Sequence, residues 1–236
     1  MSKIKDNSSY NLNLSEFLIN NGYLDGDLSD FINESEYEEL KKYSLDIRNF
    51  FKEYNDTIVR CRYNYHSNLN TDYTHDISVR DIEDRKLEIL NNNYIEIQRW
   101  RYLPVNTTNS AIETFFYKIS KKIINKLYPL YNVDMRSSDS NFTLFKKDDF
   151  IEPHTDSTNE GRLCVLLIYL NDYLEYKENG GEIVLETNET ETIQISPVFG
   201  KFVVLDFTKN NLQHSVLPVK NDFNRYSFNS FITYKL

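Results

Sequence analysis

The sequence Glu152-Pro153-His154-Thr155-Asp156 opens a region, extending to Arg225, that decides how the C-terminal half of the chain folds. In and around this region, short runs rich in Val, Ile, Phe and Tyr alternate with polar turns, which is typical of β-strands. So many short strands predict two packed sheets around a cavity, as in a sandwich or a jelly roll. The predicted strands are 140–145, 152–156, 163–170, 181–186, 192–195, 201–207, 214–218 and 225–234.

His154 and Asp156 stand at alternate positions, so in an extended strand both side chains point to the same face. His214 lies far along the chain on a separate predicted strand of the same barrel. Two imidazoles and one carboxylate on one face of a metal leave further positions open and suit non-haem Fe(II) that activates dioxygen. We therefore predict a metal site made of His154, Asp156 and His214.

The sequence before the strands predicts helices. Asn33 can cap a helix whose apolar residues recur at helical spacing, and residues 111–127 show the same period. Ser15 is a candidate cap for the apolar segment 14–20, and residues 57–65 and 95–100 are candidate short strands. We expect an α+β protein, a double-stranded β-helix (jelly roll) with N-terminal helices packed on the sheet. The predicted parts are a polar tail at 1–12, a helical part of the same domain at 13–133 and the jelly-roll core at 134–236.

The composition of the chain argues against nucleic acids and membranes as partners. The net charge is −9 and no Lys/Arg block stands out, which disfavours a nucleic-acid surface. No apolar run is long enough for a membrane span, and no signal peptide is visible, so we expect a cytoplasmic protein without a membrane partner. Cys61 and Cys164 are interpreted as buried free thiols in a reducing compartment.

The C-terminal region resembles the Fe(II)- and 2-oxoglutarate-dependent dioxygenases, specifically the prolyl-hydroxylase-like branch. The resemblance is carried by the His-x-Asp of His154 and Asp156, by the Gly180-Gly181 pair and by the strand of His214, in the order that the family has them. The similar segments are 145–156, 161–171, 179–182, 197–207, 214–219 and 225–228.

The resemblance implies Fe(II), with 2-oxoglutarate as co-substrate and dioxygen as oxidant. Arg225 would pair with the far carboxylate of 2-oxoglutarate, because arginine offers a charged bidentate fork. Ser227 shares the face of Arg225 and is a further candidate donor, and Tyr169 stands where the family has a tyrosine that bonds the same carboxylate. Phe145 departs from the pattern, since the family often has a tyrosine there.

The implied reaction is hydroxylation of an unactivated C–H bond of an amino acid, free or within a peptide, with release of succinate and carbon dioxide. Asp156 favours hydroxylation over halogenation, because the related halogenases lack this carboxylate. Alternatives are a prolyl or other residue hydroxylase acting on a protein, and a non-catalytic jelly-roll module. Nucleobase demethylation is disfavoured, because Phe231 stands where that branch has a second arginine.

Substrate recognition is predicted outside the residues that serve metal and co-substrate. The polar stretch 55–76 has the length of a lid, and Arg60 and Arg62 alternate along it, which would suit a carboxylate-bearing substrate; an exposed strand is the alternative. Arg162 is a candidate substrate contact, with a surface role as the alternative.

Overall fold

The computed structural model of the protein describes residues 7–53, 58–65, 72–78, 94–156, 161–171, 179–187, 191–220 and 222–234, with the backbone alone at 7–13, 53, 58–65, 72–78, 94–100 and 134–138. The elements, in chain order, are α1 (Asn7–Asn21), β1 (Tyr23–Asp27), α2 (Glu34–Glu53), β2 (Ile58–Tyr65), β3 (Asp72–Ser78), β4 (Tyr94–Pro104), α3 (Ser110–Leu127), β5 (Val133–Phe145), β6 (Ile151–His154), β7 (Arg162–Tyr169), β8 (Ile183–Glu186), β9 (Thr192–Ile195), β10 (Lys201–Asp206), β11 (Gln213–Val216) and β12 (Arg225–Tyr234).

The strands form two antiparallel sheets, which confirms the predicted architecture. The larger sheet has eight described strands in the order β1-β10-β7-β12-β5-β4-β2-β3, and the smaller has four in the order β6-β11-β8-β9. Strands β1 to β4 come from the N-terminal part of the chain, so that part extends the larger sheet at both edges as well as supplying helices.

Strand β7 shows how the sheet separates two packed layers. Leu166 and Ile168 belong to the core that includes the helices, whereas Leu167 and Tyr169 belong to the core between the sheets. A strand buried on both faces is apolar throughout, which explains its uninterrupted run of hydrophobic residues. The alternation fixes Tyr169 toward the space between the sheets.

The helices pack on the outer face of the larger sheet. Helix α2 begins with a reciprocal cap, in which Glu36 N–H donates to Asn33 Oδ1 at 2.9 Å and Asn33 N–H donates to Glu36 Oε2 at 3.1 Å. Helix α3 places the Phe116 ring 5.0 Å from that of Phe142 and 4.8 Å from that of Phe228. Aromatic burial of this kind holds the helices against β5 and β12.

The N-terminal end differs from the sequence prediction. Helix α1 begins at Asn7, inside the predicted polar tail, so Ser15 lies in the helix interior and is not its cap. Strand β1 was not predicted, because Gly and Asp are poor strand formers. The strand forms because it pairs with β10. Gly26 makes room for the Phe202 ring on β10, since a Cβ at position 26 would lie 2.9 Å from that ring.

The described residues of the stretch 55–76 belong to strands β2 and β3, which pair with each other at the edge of the larger sheet. The side chains of Arg60, Arg62 and Cys61 lie outside the described part of the structure, so their predicted roles stay predictions. Among the described helices, none has both the length and the apolar character needed to cross a membrane.

Candidate metal centre

Strands β6 and β11 place two histidines side by side. His154 and His214 are directly paired across the two strands, and their ring centroids are 4.4 Å apart. Asp156 follows the end of β6, with its carboxylate oxygens 3.8 Å from His154 Nε2 and 3.5 Å from His214 Nε2. All three ligand atoms lie within 4.8 Å of one another, so the structure brings the predicted residues together in a group that could hold a metal ion.

The backbone sets the orientation of both imidazole rings. His154 Nδ1 lies 2.9 Å from the carbonyl oxygen of Glu152, and His214 Nδ1 lies 3.1 Å from that of Leu212. A ring nitrogen facing a carbonyl oxygen must carry the proton, so Nε2 of each ring presents its lone pair to the centre. Burial lowers the pKa of His214, and the nearby His154 lowers it further against the opposing effect of Asp156. A neutral imidazole of this tautomer is the form that binds a metal.

Arg225 lies on the inner face of the larger sheet, between the rings of Phe145 and Tyr169. Its side chain is buried, with 1% of the residue exposed. Nε donates to the Gly181 carbonyl oxygen at 2.7 Å and Nη1 to Ser227 Oγ at 3.5 Å, whereas Nη2 has no hydrogen-bond partner among the described residues. The guanidinium lies 4.7 Å from the Phe145 ring centroid and 5.1 Å from that of Tyr169. Both rings therefore hold the guanidinium in place.

The hydroxyl of Tyr169 lies beside the Arg225 side chain. The residue is fully buried, and among the described residues its hydroxyl has no hydrogen bond of normal geometry, although it interacts with the Arg225 side chain. Burial raises the pKa of Tyr169, against the opposing effect of the Arg225 charge, so the hydroxyl keeps its proton and remains a donor. A buried cation with an unpaired N–H group beside an unpaired hydroxyl is costly alone. The pair fits a carboxylate, which would accept from both.

The turn before β8 makes room for the arginine. Gly181 has φ of +76°, and a Cβ there would lie 3.0 Å from Arg225 Cδ. Its neighbour Gly180 has φ of +77°, and a Cβ there would lie 2.1 Å from the Pro218 carbonyl oxygen. Glycine adopts such conformations without steric cost, which explains the double glycine of the sequence.

Ser227 shares the face of Arg225 but is already hydrogen-bonded. Its Oγ lies 2.6 Å from Thr143 Oγ1 and 3.2 Å from Asn229 Oδ1. A serine hydroxyl has one proton, so it donates to only one of these groups while accepting from Arg225. Its geometry suits a residue that holds the arginine better than one that contacts a ligand.

A small apolar cluster links the two groups of site residues, namely the metal-binding candidates and the residues around Arg225. Its members are Phe145, Ile151, Val216, Val219 and Phe223. Phe145 stacks on Arg225, Ile151 begins the strand of His154, and Val216 ends the strand of His214. The cluster therefore connects the surroundings of Arg225 to the strands that carry the two histidines.

Arg162, a candidate substrate contact in the sequence, has its guanidinium 4.6 Å from the centroid of the Phe231 ring.

Asn211, which the sequence did not single out, donates through Nδ2 to the backbone oxygen of Asp156 at 2.8 Å. An isolated asparagine between strands carries no signal of such a contact.

Residues 140–233 match the family model of the 2OG-Fe(II) oxygenase superfamily, a span that contains every residue of both groups. No curated protein matches the sequence. A Pseudomonas putida prolyl-4-hydroxylase structure is similar, with TM-score 0.63 and 14% identity over 95% of this chain and 99% of that one.

A Trichoplax adhaerens prolyl hydroxylase, solved in complex with a peptide fragment of the hypoxia inducible factor oxygen degradation domain, has TM-score 0.61 and 16% identity over 99% of this chain and 96% of that one. The 2-oxoglutarate-dependent epimerase SnoN from nogalamycin biosynthesis has TM-score 0.62 and 10% identity over 96% and 81% of the two chains. Because similar structures include hydroxylases and an epimerase, this likeness establishes the jelly-roll fold and leaves the substrate open.

Proposed function

We propose that this protein, an enzyme whose residues 140–233 belong to the 2OG-Fe(II) oxygenase superfamily, hydroxylates a C–H bond of an amino acid, free or within a peptide. The family uses Fe(II), 2-oxoglutarate and dioxygen, which together supply an oxidant for an unactivated C–H bond and release succinate and carbon dioxide. The alternative of a non-catalytic jelly-roll module has no support from this match.

The metal is assigned to His154, Asp156 and His214. Their ligand atoms converge, and both histidines present Nε2 as a lone pair because their Nδ1 atoms face backbone carbonyl oxygens. Two imidazoles and one carboxylate suit Fe(II) in oxygen chemistry. Asp156 occupies the position that halogenases leave to a halide, so we assign hydroxylation and not halogenation.

The observation that carries the proposal is the pair of unsatisfied polar groups at Arg225 and Tyr169. Within the described part of the structure, Nη2 of Arg225 and the hydroxyl of Tyr169 are buried without a hydrogen bond of normal geometry, and Phe145 of the apolar cluster contacts the guanidinium. The far carboxylate of 2-oxoglutarate would accept from both, with the Nη1/Nη2 edge of the guanidinium as the fork. We assign Ser227 to holding Arg225 in this orientation.

The wall beyond Arg225 supports an amide-bearing or amino-acid substrate. Asn229 hydrogen-bonds Thr143 and Ser227, so it lies on the same inner face as Arg225, further along β12. Asn141 is paired directly with Asn229 across β5 and β12, and paired residues share a face. Two neighbouring carboxamides offer both donors and acceptors without charge, which suits the polar groups of an amino acid or a peptide bond.

A protein substrate is the second candidate, since a similar structure is a prolyl hydroxylase in complex with a peptide. Free amino acids and short peptides, including proline-containing ones, should be screened for stimulated succinate formation and for a product with one added oxygen atom. Stimulation by free amino acids assigns a small substrate, and stimulation by peptides alone assigns a polypeptide. No stimulation by either would overturn the substrate class.

Asn141 provides a sharper test of the substrate wall. Asn141→Ala should raise the KM for the substrate found in that screen and leave the KM for 2-oxoglutarate unchanged. An equal rise in both values would assign the residue to the binding of the co-substrate.

Arg60→Ala and Arg62→Ala should likewise impair substrate-coupled turnover while sparing the slow uncoupled decarboxylation of 2-oxoglutarate.

For the location of the protein we propose the cytoplasm, consistent with the buried free thiol of Cys164.

A further inference from the structure

Asp156 is the one member of the metal-binding triad that does not lie on a strand. Strand β6 ends at His154, so the β-ladder stops before the carboxylate. The backbone oxygen of Asp156 instead accepts a hydrogen bond from Asn211 Nδ2 at 2.8 Å. This contact spans from the segment after β6 to the segment before β11, and it fixes the main chain from which the carboxylate projects.

The short segment from Asn211 to His214 positions two of the metal-binding candidates, Asp156 and His214. Asn211 bonds the backbone of Asp156, and Leu212 supplies the carbonyl oxygen that orients the His214 ring. A displacement of this short segment would therefore shift the carboxylate and the imidazole together.

The same segment is tied to the N-terminal helix. Asn210 Nδ2 donates to the carbonyl oxygens of Ile19 at 3.3 Å and Asn20 at 3.1 Å, near the end of α1. Lys209 Nζ donates to Asn20 Oδ1 at 3.3 Å. The end of α1 thus holds the segment that carries Asn211, although no residue of α1 belongs to the candidate site.

The second polar atom of Asn211 shows that the side chain is not placed by fold packing alone. Its Oδ1 is buried and has no hydrogen-bond partner in the part of the chain that the structure describes. A buried unsatisfied acceptor costs stability, so an apolar side chain of similar shape would serve the fold as well or better. What an apolar side chain could not supply is the N–H donor to Asp156.

We propose that Asn211 is a positioning residue of the metal centre, which fixes Asp156 relative to His214 and so completes the triad. The inference rests on the proposed function, since it needs the triad to bind a metal. Residues that orient metal ligands typically contribute a factor of about 10 to 100 in metal affinity.

The test uses Co(II) as the metal probe, with anaerobic equilibrium titration and the visible absorption of the bound ion. Asn211→Ala and Asn211→Leu should both weaken Co(II) binding by about 10- to 100-fold and change the spectrum of the bound ion. Asn211→Leu should keep the unfolding midpoint close to that of the wild type, because the loss of the bond to the Asp156 backbone oxygen is offset by removal of the unsatisfied acceptor.

Asn210→Ala is the matched control, since it alters the adjacent amide of the same segment but not the bond to Asp156. It should lower the unfolding midpoint and weaken Co(II) binding less than the Asn211 variants do, because the bond from Lys209 Nζ to Asn20 Oδ1 still anchors the segment. Unchanged Co(II) affinity and spectrum in folded Asn211→Ala and Asn211→Leu would overturn the inference. Failure of the wild type itself to bind Co(II) or Fe(II) would instead overturn the proposed function, and this inference with it.

Discussion

The guanidinium of Arg225 lies 5.1 Å from the centroid of the Tyr169 ring, and each side chain ends in a buried polar group that has no hydrogen bond of normal geometry to any described residue. Such groups destabilise a fold unless something binds them. One carboxylate would accept from both, so the relationship between these two residues supports an anionic co-substrate at this place.

Replacing Arg225 tests that pairing. Arg225→Ala should weaken 2-oxoglutarate binding about 10- to 100-fold, since a hydrogen bond to a charged group contributes about 1.5–3 kcal/mol. Arg225→Lys should not restore it, because lysine cannot donate to Gly181 and also present a fork. Apparent KM values for 2-oxoglutarate measure both effects, with Arg162→Ala, on the ring of Phe231, as the arginine control. Wild-type behaviour of the lysine variant would contradict the bidentate assignment.

Tyr169→Phe should have a smaller effect. It removes one uncharged donor to the carboxylate, which contributes about 1.5 kcal/mol at the lower end of the range for bonds to charged groups, so a loss of about 10-fold in 2-oxoglutarate affinity is expected. Burial raises the pKa of Tyr169, so the wild-type hydroxyl stays protonated and should add no pH dependence to this affinity near neutral pH. Binding titrations at several pH values check both points, and a loss as large as that of Arg225→Ala would require a different geometry.

Alanine substitutions at Gly181 and Gly180 should mainly impair different properties, co-substrate binding in the first case and stability in the second. Gly181→Ala should raise the KM for 2-oxoglutarate with little change in metal affinity, because its Cβ would press on Arg225 Cδ at 3.0 Å. Gly180→Ala should chiefly lower the unfolding midpoint, because its Cβ would meet the rigid backbone of Pro218. If Gly181→Ala binds 2-oxoglutarate as the wild type does, the arginine tolerates displacement and the fit of this turn is not required.

The pH dependence of stability should include a contribution from Glu36, which is 4% exposed and ion-paired with Lys118 and Lys122. Burial alone would raise its pKa, but hydrogen bonds from Lys122, the Asn33 backbone and Lys118 lower the pKa to about 2. A folded-state pKa below the unfolded one stabilises the fold above about pH 4.5, and this contribution is lost as the pH falls toward 2.

Glu36→Gln should therefore cost about 1–2 kcal/mol of unfolding free energy at pH 7, a value reduced because both lysines are partly exposed. Glutamine keeps the reciprocal cap with Asn33, so the variant isolates the charge. Urea unfolding at pH 7 and near pH 2.5 measures the difference, which should shrink at the lower pH. An equal difference at both values would assign the effect to packing.

Much of the fold was visible in the sequence because local and tertiary preferences agree there. Strands β9 and β12 have the predicted bounds, and Asn33 caps α2 as its position indicated. Strand β1 could not be predicted, since its pairing with β10 outweighs a composition typical of turns. The start of α1 at Asn7 was missed because its polar residues show no helical period.

The residues of the candidate site also differ in how far the sequence predicts their contacts. Residue type, spacing and the resemblance of the surrounding segments together predicted that His154, Asp156 and His214 converge, and the structure brings them together. Ser227 was placed on the correct face by strand alternation, but its bonds to Thr143 and Asn229 depend on the neighbouring strand β5 and on rotamers. Asn211 was missed because its contact with Asp156 joins two segments far apart in the chain.

The most direct test of the account is metal binding and 2-oxoglutarate turnover in the three ligand variants. We expect one Fe(II) per wild-type chain, with succinate formation that chelation abolishes. His154→Ala, Asp156→Ala and His214→Ala should each lose the metal and the turnover while circular dichroism shows an intact fold. Full succinate formation by His214→Ala would contradict the assignment of the metal centre and, with it, the proposed function.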